Sequence, residues 1–148
     1  MTELVSVLLL LLAGCGPRAV DGDTFEQRGV RWRLWGADAL EHDQPGGIAA
    51  RASLASLLRL GPVTCERKGR SYDRVVGRCY VLHDGRRVDL GAEQVRRGWA
   101  VDTPFSRGEY VDEEREARAQ SRGMWSLSGV VRPHTWRKAH ATIRDSGR

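Results

Sequence analysis

One stretch limits what this chain can become. Residues 21–41 read D-G-D-T-F-E-Q-R-G-V-R-W-R-L-W-G-A-D-A-L-E. Asp21 and Asp23 are two positions apart, so in an extended strand they project from the same face. Arg28-Gly29 has the composition of a turn. After it Val30, Trp32 and Leu34 alternate with Arg31, Arg33 and Trp35, the period of a half-buried strand. Asp38 and Glu41 follow directly after Gly36. A hairpin over this stretch brings carboxylates together, and they repel unless positive charge lies between them. Two sources are open: a hard cation, which takes carboxylate oxygens, and the interleaved arginines.

The remainder must supply a frame for that hairpin. A length of 148 residues suits one domain, and 41% hydrophobic residues are enough for a core. The net charge is +5, and 22 of the 24 basic residues are arginine, whose planar fork suits phosphate better than lysine's point charge. At 4–12 nearly every residue is apolar, followed by Ala13-Gly14-Cys15. That run is too short to span a bilayer and long enough for the core of an export signal. The L-A-G-C ending is similar to a bacterial lipobox, in which Cys15 carries the lipid anchor and begins the mature chain. Against this, Met1-Thr2-Glu3 lacks the basic residues of a signal. A misplaced start or a buried strand are the alternatives. The expectation is residues 1–14 as leader, a domain over 17–137, a fraying polar tail over 138–148, and a monomer exported to the periplasm, envelope or medium.

Cysteine spacing adds a staple. If the run between Cys65 and Cys79 turns at Tyr72, residues whose numbers sum to 144 face each other, and Cys65 meets Cys79 within disulfide reach. Such a bridge suits an oxidising compartment, with two buried free thiols as the alternative, and it would hold the hairpin that carries Arg74. The three cysteines and four histidines lack zinc-ligand spacing.

Periodicity and punctuation place the other elements. A first strand is expected over 17–26, with Asp21 to Thr24 near its middle. A second covers 30–37. A helix over 48–60 has Ile48, Ala52, Leu54, Ala55 and Leu58 on its stripe and stops at Gly61-Pro62. Strands over 63–68 and 75–82 form the disulfide hairpin. Asp84-Gly85 signals a type I′ turn into a strand over 86–88. Asp89 caps a helix reaching 97, closed by Gly98, and a further helix covers 109–120. Strands first, then a helix, then strands and helices give, on periodicity alone, a small mixed α and β domain, an order compatible with a five-stranded OB-type β-barrel with about three α-helices.

V-D-G-D-T, then R-L-W-G-A-D-A-L-E, then S-Y-D-R occur in the order and spacing of the thermonuclease family, the staphylococcal-nuclease-like domains. The resemblance covers about 17–137. It implies the same OB-fold barrel and a calcium-dependent phosphodiesterase that cuts DNA and RNA with little sequence preference, leaving 3′-phosphate ends. Residue by residue, it implies Ca2+ on Asp23, Asp38 and the main-chain carbonyl of Ala39. Glu41 would position or deprotonate water. Arg33 and Arg74 would bind the scissile phosphate and stabilise the pentacoordinate state. Tyr72 would lie beside bound nucleotide, with Asp21 behind the metal ligands. Two departures stand out. Leu40 replaces the family's proline, which loosens the backbone before Glu41. The tyrosines that some relatives carry after the second helix are not evident, and Phe105 is a candidate to stand in for them. The competing readings are an OB-fold module that binds nucleic acid without cutting and, more remotely, a lipid-anchored envelope protein.

Overall fold

The computed structural model describes residues 16–145. The leader and Cys15 lie outside the described residues. Eight strands are described: β1 (Arg18–Ala19), β2 (Thr24–Gln27), β3 (Val30–Leu34), β4 (Ala37–Ala39), β5 (Val63–Ser71), β6 (Arg74–His83), β7 (Arg86–Asp89) and β8 (Ala100–Asp102). The α-helices are α1 (Gly47–Leu58), α2 (Leu90–Arg96), α3 (Val111–Ala119) and α4 (Pro133–Asp145). This is the mixed α and β, OB-type arrangement expected, with four helices among the described residues. Hydrogen bonding runs β1-β2-β3-β6-β5 with β7 added on β6, while β4 and β8 form a separate ladder. No described ladder returns from β5 to β1 to close the barrel.

Register divides the sheet into two faces. Phe25 lies opposite Trp32, Trp32 opposite Val75, and Leu34 opposite Gly77. With Cys79 and Val81 they form the core face, which packs on Leu54, Leu57, Leu58, Leu90 and Val95 of α1 and α2. Thr24 lies opposite Arg33 and Arg33 opposite Val76, two positions from Arg74. Thr24, Arg33 and Arg74 therefore share the other face.

Several expectations need correction. The chain does not run extended through Asp21 to Asp23; it bends there between β1 and β2, and the amides of Val20 and Asp21 both donate to the Thr24 carbonyl at 2.8 and 3.0 Å. α1 buries Ala50, Leu54, Leu57 and Leu58, whereas Ile48 is 71% exposed. Gly47 lies on that buried side at the helix start, where it packs on the Glu41 carbonyl. Residues 138–145 are helical and continue α4, which begins at Pro133, a residue suited to a first helical turn.

The hairpin staple forms as expected: Cys65 is bonded to Cys79, and the two are register partners. The route differs in detail. Ser71 pairs with Arg74 across a two-residue turn, and an irregularity between Arg67 and Gly69 then shifts the register by one. Lys68 is the extra residue, a β-bulge that brings Cys65 opposite Cys79. Asp89 caps α2 as its position implies, accepting from the Gly91 and Ala92 amides at 2.9 and 3.1 Å.

Candidate active site

Asp23 is placed by the bend that carries it. A Cβ on Gly22 would stand 2.7 Å from the Ala39 Cβ and 2.8 Å from the Ala50 Cβ, so only glycine lets the bend lie this close to β4 and α1. The fully buried Gln94 side chain holds the bend from below, donating to the carbonyls of Gly22 at 2.6 Å and Ala50 at 3.0 Å. Asp23 then points at β4, where its Oδ2 accepts from the Ala39 amide at 2.8 Å. Asp38 leaves the same short strand beside it.

Arg33 bridges the two buried carboxylates. Its Nη1 is 2.7 Å from Asp23 Oδ2, and its Nη2 donates to Asp38 Oδ1 at 3.2 Å. Nη1 also donates to the Ala37 carbonyl at 2.7 Å, which fixes the guanidinium at the start of β4. On the other side, Thr24 donates to Asp23 Oδ1 at 3.0 Å, and Arg74 Nη1 lies 3.5 Å from the same Thr24 hydroxyl. Arg74 also approaches Ser71 Oγ at 3.4 Å. Burial pushes the Asp23 carboxyl pKa upward, opposed by Arg33 and the Ala39 amide and reinforced by the Asp38 charge. Two carboxylates side by side are disfavoured as ions, and guanidinium groups hold them here.

A third guanidinium was not foreseen. Arg137 of α4 donates from Nη1 to Asp38 Oδ1 at 2.9 Å and from Nη2 to Asp38 Oδ2 at 2.8 Å. Its Nη1 also reaches Glu41 Oε1 at 2.6 Å. Bidentate pairing of this kind is the stronger class of ion pair. Nothing near Arg137 in sequence marks it, because its partners lie 99 and 96 positions away. The available signal was structural: Pro133 opening a helix, with Trp136 and His140 one turn apart and stacked at 3.9 Å.

Glu41 sits on a tied loop. Its amide donates to Gln44 Oε1 at 3.2 Å, and its carbonyl accepts from the Gln44 amide at 3.0 Å. Leu40 does not loosen this segment. It is buried against Ala50, Val101 and Met124, and its amide donates to the Trp99 carbonyl at 3.3 Å. Packing and a hydrogen bond do here what a proline ring would otherwise do, and a proline would delete that amide donor.

Asp23, Arg33, Asp38, Ala39, Glu41 and Arg74 are thus brought into one connected patch. Two expected residues lie outside its contacts. Tyr72 is 92% exposed at the β5–β6 turn, with φ of 56°. Asp21 acts electrostatically on Arg31 instead. Phe105 is also exposed, at 82%.

The donor types suit a hard cation, since Asp23 and Asp38 are buried carboxylates on neighbouring segments. In the arrangement described, both Asp38 oxygens accept from Arg137, and both Asp23 oxygens already have partners. Among the described residues no group of three or more His, Cys, Asp or Glu stands close enough together to hold a metal ion. The residues fit a divalent cation in kind, provided that Arg137 moves away.

No protein-family model matches the chain. Individual proteins do. Over 125 residues it is 32% identical to an uncharacterized endonuclease of Escherichia coli, covering 81% of each protein. Over 136 residues it is 31% identical to the micrococcal nuclease of Shigella flexneri, covering 82% of this chain and 78% of that one. The chain belongs to the staphylococcal-nuclease-like family of nucleases. A probable staphylococcal-like nuclease of Oryza sativa subsp. japonica is 31% identical over 129 residues, but there the match spans only 33% of the longer protein. Membership of the staphylococcal-nuclease-like family agrees with the motif order of the sequence and with the OB-type arrangement of the strands.

Proposed function

We propose that the chain is a calcium-dependent endonuclease that hydrolyses DNA and RNA with little sequence preference, and that the patch around Asp23 and Asp38 is its active site. One observation carries this reading. Arg74, Thr24, Asp23, Arg33, Asp38, Arg137 and Glu41 form an unbroken run of polar contacts on the non-core face of the sheet. The nuclease names of the relatives support the same substrate class.

A phosphodiester resists water because its own charge repels nucleophiles and its transition state gathers more negative charge. The roles are those that the family resemblance implies, and the gathering of these side chains into one patch supports them. Asp23 and Asp38, with the Ala39 carbonyl, hold the cation. When bound, calcium supplies positive charge that polarises a phosphoryl oxygen. Glu41 is the most exposed of the three carboxylates, and in this reading it positions or deprotonates the attacking water. Arg74 is held only by two hydroxyls at 3.4–3.5 Å among its described contacts, so its charge is available to a phosphate. Arg33 faces the same edge and stabilises charge that develops during attack. Tyr72, exposed two positions before Arg74, offers a ring to a neighbouring base.

The Cys65–Cys79 bridge supports an exported location, since such bonds persist in oxidising compartments. Cleavage of the leader and lipid attachment at Cys15 remain part of this proposal, as does the monomeric state.

Digestion of plasmid DNA and of RNA, with calcium and with chelator, by the wild type and by Glu41→Gln tests the function. We expect cleavage that chelator abolishes and that the variant slows by about 10²–10⁴-fold, the usual weight of a positioned acid–base group. Equal digestion by both proteins, or by neither, overturns the nuclease reading and leaves a binding module.

A further inference from the structure

A bidentate ion pair at the site joins two parts of the chain almost a hundred residues apart. Arg137 covers both oxygens of Asp38 and one of Glu41. Guanidinium and a hard cation need the same carboxylate lone pairs, and both cannot hold them at once. The Asp38 side chain is 8% exposed, so little of its surface is left for a second cation to approach while Arg137 stays in place.

The helix that carries Arg137 is fastened mainly by polar contacts. Gln44 Nε2 donates to the Val131 carbonyl just before α4, and Arg132 pairs with Glu114. Trp136 Nε1 lies 3.4 Å from Asp43 Oδ1. Of the residues of α4 whose side chains are described, only Pro133 is buried. Arg137 itself is 43% exposed, so its side chain can turn into solvent without opening the core. A contact that is strong locally and reversible at no cost to the core has the properties of a competitor.

We propose that Arg137 is an internal competitor of the divalent cation: it closes the Asp38–Glu41 side of the site when no metal is bound, and its departure is required for metal entry. This rests on the proposed metal role of Asp23 and Asp38. The apparent metal affinity is then the intrinsic affinity reduced by the fraction of molecules in which Arg137 is already displaced. Arg137 thus sets the cation concentration at which the site fills.

Calorimetric titration of Ca2+ into chelator-treated full-length protein tests this without any turnover. Arg137→Gln is expected to bind about tenfold tighter than wild type, as when one charge-assisted pair is removed from a competition. Arg137→Lys, which keeps the charge but loses the fork, is expected between them. Asp38→Asn is the control for the site, and it should abolish binding in both backgrounds. Calcium binding that needs Asp38 but is equal or weaker in Arg137→Gln overturns the competitor and leaves the metal site standing. No binding by either protein, or binding indifferent to Asp38→Asn, overturns the metal site itself. Should Arg137→Gln fold poorly, the side-chain ¹⁵N spectrum of the unmodified protein decides. The Arg137 guanidinium should be rotationally restrained without calcium and free with it, and an unchanged signal at saturating calcium overturns the proposal.

Discussion

Arg33 and Arg74 have the same side chain on the same face of the sheet, yet their surroundings give them different weights. Arg33 neutralises two carboxylates whose side chains are only 11% and 8% exposed. Its removal leaves the Asp23 charge buried without a charged partner, while Asp38 keeps Arg137. Arg33→Ala should lower unfolding free energy by about 3 kcal/mol, the usual penalty for breaking a buried pair from one side. Arg74 rests on hydroxyls at the limit of hydrogen-bond distance. Arg74→Ala should change stability by less than about 0.5 kcal/mol while reducing kcat by about 10²-fold or more, as loss of one charge-stabilising donor does. Urea unfolding beside steady-state kinetics separates the two. At this scale most of the patch was legible in the residues, because Asp23, Arg33, Asp38 and Glu41 lie within 19 consecutive positions and need only one hairpin to meet. Arg137 was not legible. Its meaning depends on how α4 crosses the molecule, and no local pattern encodes that path.

At the scale of elements, the β5–β6 hairpin shows how a local count can reach the correct partner by the wrong route. Counting from a turn centred on Tyr72 pairs Cys65 with Cys79. In the structure the turn is centred half a residue later, and the bulge at Lys68 makes up the difference. Gly69, a glycine inside a strand pattern, was the one local signal of the bulge, but it does not fix which residue is extra. The bend at Gly22 escaped for a related reason: Asp-Gly-Asp suits both an extended segment and a turn, and the choice was made by Gln94, Ala39 and Ala50 from elsewhere in the chain. The disulfide closes a short loop whose ends the sheet already pairs. The double variant Cys65→Ala/Cys79→Ala should still fold, with unfolding free energy lower by about 2–4 kcal/mol. Thermal melts of oxidised and reduced wild type should bracket the same difference.

At the scale of the whole molecule, Tyr110 ties several elements together. It is 1% exposed, meets Trp35 edge to face at 5.9 Å, and donates to Asp89 at 2.9 Å. Asp89 in turn caps α2 and pairs with Arg78 of β6 at 2.8 Å. Burial, with the Asp89 charge beside it, holds the Tyr110 hydroxyl protonated well above its ordinary pKa. In the unfolded chain the same hydroxyl loses its proton near pH 10. The unfolded state therefore releases a proton that the folded state keeps. This contribution is complete below about pH 10 and is lost as pH rises further, by up to about 1.4 kcal/mol per pH unit. Tyr110→Phe should flatten that alkaline decline, as urea midpoints from pH 9 to 11.5 would reveal.

The tightest clearance in the site belongs to a residue with no charge and no side chain. A Cβ on Gly47 would fall 1.8 Å from the Glu41 carbonyl oxygen, inside the backbone rather than against a movable group. One added methyl group at the mouth of α1 would drive the Glu41 loop outward and carry the carboxylate with it. The chemistry of this chain thus has a mechanical tolerance narrower than a carbon atom, set six positions away from the acid that it protects.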